Sequence, residues 1–223
     1  TYPDYIYNLS EKKSYFTMFI TEYDNNFITF LKDNQKINLS TLLTSYNINK
    51  ISTLDMIFLQ GKLNVIMYVL DNINIIFKDS LLRPSFFYLL YNKNLKTKEQ
   101  FKIFDKIYKL KKDNLDLIDS DGKNILFYLK DLEFFEYFYE KNVNFDYFSP
   151  FDTEHILTNC YKNELYDCVK FIWDIIKDNH DFKESDKYGN NLASILIIML
   201  HNSKRKDYNL EKNILKHNDY WDL

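Results

Sequence analysis

His155 and Cys160, with Asp152 just upstream, are the place in this chain where a base, a nucleophile and an orienting carboxylate lie closest in sequence. A cysteine nucleophile needs a base within hydrogen-bond reach and a third group that fixes the base. Positions five apart on a helix point about 140° away from one another, at roughly 100° per residue. The spacing therefore reads as a helix-start histidine followed by a core cysteine, and not as a catalytic pair. The histidines at 155, 180, 201 and 217 keep no metal-ligand spacing, and Cys160 with Cys168 makes no zinc motif. Asp119/Asp121 and Asp113/Asp116 are most simply turn and cap residues, because a calcium loop needs more oxygen ligands within a dozen positions. Glycine-rich nucleotide loops, the zinc-protease helix motif and the nucleophile-elbow pattern do not occur. The sequence thus offers no catalytic residue, no cofactor site and no metal site.

The elements that carry these residues are short and come in pairs. Asp119 to Gly122 is a turn whose glycine is free to take positive φ, and Asn124 stands where a helix N-cap belongs. Ile125 to Leu129 gives a first apolar helix, and Leu132 to Phe138 a second, which ends at Glu140-Lys141-Asn142. Asparagine commonly replaces glycine where a helix stops in the left-handed region. The opening recurs: Asp119, Gly122 and Asn124 match Asp186, Gly189 and Asn191, each 67 residues on (186 − 119, 189 − 122, 191 − 124). An intermediate copy starts near His155, with helices from 155 to 160 and from 166 to 175 and a turn at 162–164 between them.

Upstream, Ser52-Thr53-Leu54-Asp55 opens a further pair, Gly61-Lys62 makes its turn, and Val65-Ile66 with Val69-Leu70 supplies the packed face of its second helix. This stretch resembles the ankyrin consensus, whose period is about 33 residues, half of the 67-residue step. The resemblance covers roughly 14–217 and implies an all-α solenoid of about six helix-turn-helix units with short β-hairpin-like fingers. In that register the units fall near 14–39, 52–77, 85–118, 124–146, 155–183 and 191–217, within one domain spanning 1–223. Residues 218–223, including Trp221, then form a cap or tail. In detail, 26–32 is a second helix, 39–49 a connector, and Pro84-Ser85 starts a pair whose helices run 86–91 and 98–111. Ala193 is the only alanine, and glycine occurs only at 61, 122 and 189. Bulky residues therefore fill positions where the family prefers small ones, and helices within a unit should sit further apart.

Composition sets the class. Of the 223 residues, 46% are hydrophobic and 27% charged, which is globular usage, and 19 Tyr with 19 Phe indicate a core filled by rings. A net charge of −3 exerts no general pull on nucleic acid or anionic membrane, and only two arginines, Arg83 and Arg205, are present for phosphate or base readout. The basic runs 106–112 and 204–206 are interrupted or flanked by acids and read as solvated faces. Two cysteines make no disulfide framework, and in the repeat register they sit in the paired helices of one unit as small buried residues. No signal-like start and no apolar run near about 18 residues is seen, so a cytoplasmic protein is expected. A start at Thr1 and not at Met points to a segment of a longer protein.

The expected role follows. A stack of repeats presents an extended surface whose tips change without unfolding the core. The resemblance implies that a partner protein is met by the concave face and the finger tips, here Tyr147, Phe148, Phe151, Ser120, Asp121, Lys187 and Tyr188. No nucleic acid, membrane or small molecule is expected as a partner. Two readings stand open for Phe148 and Phe151: anchors for a partner, or filler between units. Heavy use of Asn, Lys, Ile, Tyr and Phe, with Asp186-Lys187-Tyr188-Gly189-Asn190-Asn191, is similar to ankyrin proteins of poxviruses, other large DNA viruses and intracellular bacteria, which act on host proteins. No segment after His217 resembles the F-box-like tail that many poxvirus ankyrin proteins carry. The alternative is a repeat scaffold within a larger enzyme or effector whose catalytic domain lies outside this chain.

Overall fold

The computed structural model of the chain describes residues 24–33, 51–72, 83–110, 115–150 and 154–178, with Leu192 and Ile197 besides. The unit expected at 14–39 up to residue 23, the unit at 191–217 apart from Leu192 and Ile197, the connector at 39–49 and the cap around Trp221 lie outside the described residues. The described chain is mostly helical and has no extended strand. It divides into two units, Thr1–Ser120 and Asp121–Leu223.

In the first unit, α1 spans Asp24–Asp33, α2 Thr53–Gln60, α3 Leu63–Asn72 and α4 Thr97–Leu110, and a 3₁₀ helix spans Ser85–Tyr91. A reciprocal cap starts α2. The Ser52 hydroxyl accepts from the Asp55 N–H at 3.1 Å, and the Asp55 carboxylate accepts from the Ser52 N–H at 2.8 Å. Leu54, Met56, Ile57, Phe58 and Leu59 are all buried, so α2 is apolar on every side and must lie inside. The helix stops at Gly61, where a Cβ would meet the Ile57 carbonyl oxygen at 2.5 Å. By contrast α3 buries only Val65, Ile66, Val69 and Leu70, one stripe, and leaves its other side towards water.

These faces dictate two rows. The Ser85–Tyr91 helix lies against α2, while α3 lies between α1 and α4. Two asparagines, Asn92 buried and Asn94 exposed, stitch the inner row. The Asn92 amide donates to the carbonyls of Phe58 at 2.8 Å and Gly61 at 2.9 Å, and Asn94 donates to that of Gln60 at 2.7 Å. The last carbonyls of α2, which have no partner within their own helix, are thus satisfied by the next pair. Gln100 of α4 donates to the Leu89 carbonyl at 2.7 Å and ties that pair's two helices together.

In the second unit, a 3₁₀ helix spans Ile125–Tyr128, α5 Leu132–Glu140, α6 Ile156–Lys162 and α7 Tyr166–Ile176. The 3₁₀ helix packs on α6 and α5 packs on α7, and α6 packs on α7 as well. Asn124 caps by accepting from the Leu126 N–H at 3.1 Å. Two helices end alike. Past α5, Asn142 takes φ 57°, Asn142 N–H donates to Tyr139 O at 2.9 Å and Val143 N–H to Phe138 O at 3.2 Å. Past α6, Glu164 takes φ 59°, with Glu164 N–H on Tyr161 O and Leu165 N–H on Cys160 O, each at 3.0 Å. Helix N-caps at Ser52, Pro84, Asn124 and His155 are 32, 40 and 31 residues apart (84 − 52, 124 − 84, 155 − 124).

The helices expected at 86–91 and 125–129 are present but wound as 3₁₀. Both are under two α-turns long, too short to repay α-helix nucleation on their own, and burial fixes them instead. Phe86, Phe87, Tyr88 and Leu89 are buried together, with the Phe86 ring edge-on to Phe87 and to Phe104 of α4.

Candidate functional site: the finger turn and hairpin

Tyr147-Phe148-Ser149 runs antiparallel to Glu154-His155-Ile156. Ser149 N–H donates to Glu154 O at 2.9 Å, Ile156 N–H donates to Tyr147 O at 3.2 Å, and Phe148 bridges His155. Pro150, at the bend, cannot extend the ladder and is exposed. The result is a finger one bridge wide, held at its base by α6.

That hairpin is latched to the turn before Asn124. The Tyr147 hydroxyl donates to the Gly122 carbonyl at 2.7 Å, and the buried Ser149 hydroxyl donates to the Asp121 carbonyl at 2.8 Å. Gly122 has φ 74°, the left-handed conformation that aims both carbonyls at the finger. The Tyr147 ring stands edge-on to Phe127 at 6.1 Å, and Phe148 stands edge-on to the His155 imidazole at 4.7 Å. Charge reinforces the base: Glu154 accepts from Lys123 at 3.3 Å and from Lys162 at 2.7 Å.

The expected contact residues therefore divide. Ser120 and Asp121 are exposed at the turn, with Asp121's carbonyl engaged. Tyr147 and Phe148 are half-buried; each has one side committed to the fold. Phe151, Lys187 and Tyr188 lie outside the described residues. Sequence reasoning passed over Ser149, Lys123 and Glu154, whose roles depend on partners 28 to 31 positions away.

His155 and Cys160 are placed by packing. His155 Nδ1 accepts from the Leu157 N–H at 3.1 Å and caps α6, while Nε2 faces an Asp146 carboxylate oxygen at 3.3 Å. Both ring nitrogens are committed, and the residue is buried. Cys160 is buried too, and that burial, helped by Cys168 and Glu154, pushes its thiol far above the ordinary value. A thiol so held is a core side chain and not a nucleophile. Among the described residues, no three His, Cys, Asp or Glu side chains gather as a metal site, and no helix is long and apolar enough to cross a membrane. Compared with family models and with curated proteins, the chain matches none.

Proposed function

We propose that this chain is a divergent ankyrin-type solenoid that binds a partner protein through its finger tips and the neighbouring concave face, without catalysis. One observation carries the reading: within each unit, first helices pack on first helices and second helices on second helices. A stack grown from identical pairs requires this two-row arrangement. The latch from Tyr147 and Ser149 to the Asp121–Gly122 turn supports it further, because it sets successive fingers edge to edge. A latched edge with exposed Asp121 and Pro150 binds at low entropic cost, and the outward sides of Phe148 and Tyr147 supply apolar area.

The test is affinity capture with the full chain, comparing wild type with Ser120→Arg/Asp121→Arg and with Glu136→Lys on the exposed side of α5. The tip variant should lose a captured protein by about tenfold or more, the scale of a hot-spot change, at an unchanged melting temperature. Glu136→Lys should retain it. Equal capture by all three would remove the finger tips from the interface.

A further inference from the structure

A cleft of about 490 Å³ opens in the second unit between the end of α5, residues 142–146 and the end of α7. Its size falls within the roughly 300–1,000 Å³ of known binding pockets. Val143, Phe145 and Ile176 make an apolar floor, and the half-exposed Tyr139 ring stands at the rim. Tyr139, Phe145 and Phe171 meet edge to face at 5.8 to 6.0 Å, which holds the rim ring in place.

Among the described residues of the lining the charge has one sign: Glu140 and Asp146 are the charged ones. The cations next to it in sequence are directed elsewhere: the Lys141 ammonium lies over the Tyr137 ring at 5.0 Å, and Lys177 bonds to Asp174 at 2.9 Å. The loop is set before any ligand arrives, since the Asn144 side chain accepts from the Asp146 N–H and donates to the Asp146 carbonyl, each at 3.0 Å.

We infer that this cleft takes a lysine or arginine side chain from a basic, partly apolar segment of a partner protein. A long cationic side chain lays its methylene stem on an apolar floor and keeps its head polar. Here the head meets the Glu140 carboxylate, with the Asp146 carboxylate, which also faces His155 Nε2 at 3.3 Å, adding negative charge beside it, and the Tyr139 face attracts a cation as well. Two carboxylates repel a phosphate backbone, so nucleic acid does not fit, and an acidic peptide fails for the same reason. The inference is independent of the finger tips.

The experiment is fluorescence anisotropy of the full chain with a labelled twelve-residue peptide of lysine, leucine and alanine, and with its glutamate-for-lysine counterpart. The lysine peptide should bind saturably and the glutamate peptide should not. Glu140→Lys should weaken binding about tenfold and Tyr139→Ala about fivefold, as expected for loss of a charge contact and a cation–π contact. Glu140 is exposed and Glu140→Lys should melt with the wild type, whereas Tyr139→Ala also gives up its ring contacts with Phe145 and Phe171, so its binding is compared below its own melting temperature. Glu136→Lys, on the same helix but outside the lining, should stay within about twofold. Failure of the lysine peptide to bind, equal binding of the glutamate peptide, or equal loss in Glu136→Lys would overturn the inference.

Discussion

Glu164 holds φ 59° at the end of α6, a conformation that costs a non-glycine residue about 1–2 kcal/mol. It is exposed, and the bonds that stop the helix come from its backbone. Glu164→Gly should therefore stabilise the protein by about 0.5–1 kcal/mol in urea melts, after glycine's own entropic cost is subtracted. Cys168 makes a second residue-scale prediction. Burial, then the Asp167 and Asp131 charges, pushes its thiol up to about 11. The folded state then holds a proton that the unfolded chain gives up from about pH 9, so this contribution is intact below pH 9 and fades as pH climbs towards 11. Cys168→Ala should flatten the fall of stability between those values. At this scale the sequence was largely readable: the cap at Asn124, the left-handed Gly122 and the Asn142 stop follow from what those side chains do locally, whereas His155, read as the helix's first residue, caps it from outside. The turn at 162–164 was expected, but that Glu164 would be its left-handed residue was not readable, because glutamate carries no such signal of its own.

Elements were legible where a periodic apolar stripe runs ten residues or more. α3, α4 and α7 begin and end close to the expected bounds for that reason. The Ser85–Tyr91 and Ile125–Tyr128 segments were found, yet their winding was not, since it is set by neighbours and not by their own pattern. The finger shows the same limit. Its position followed from the repeat register, but two readings stood open for its aromatics. For Phe148 the observed ring contact with His155 gives one side to the fold, and for Tyr147 the latch does so. Tyr147→Phe removes one hydrogen bond between hairpin and turn, and Ser149→Ala another. Each should cost about 1 kcal/mol, and both together should raise amide exchange at Ser149 and Ile156 before α6 itself opens.

For the whole molecule, the account rests on helix pairs coupled mainly to adjacent pairs, which leaves exposed tips free to serve a partner. The shared opening at Asp119 and Asp186 suggests that organisation in the sequence, though the Asp186 copy lies outside the described residues, whereas the asparagine stitching depends on contacts over 30 residues apart. Asn92 is the test point. Asn92→Ala leaves the Phe58 and Gly61 carbonyls without that amide and should destabilise by about 2–4 kcal/mol. The measurement that bears most directly on the claim is hydrogen exchange of this variant, read helix by helix against the wild type. Protection should fall in α2 and in Ser85–Tyr91 while Ile156–Lys162 and Tyr166–Ile176 keep theirs. An equal fall in every helix, or an untouched α2, would contradict coupling between neighbouring pairs.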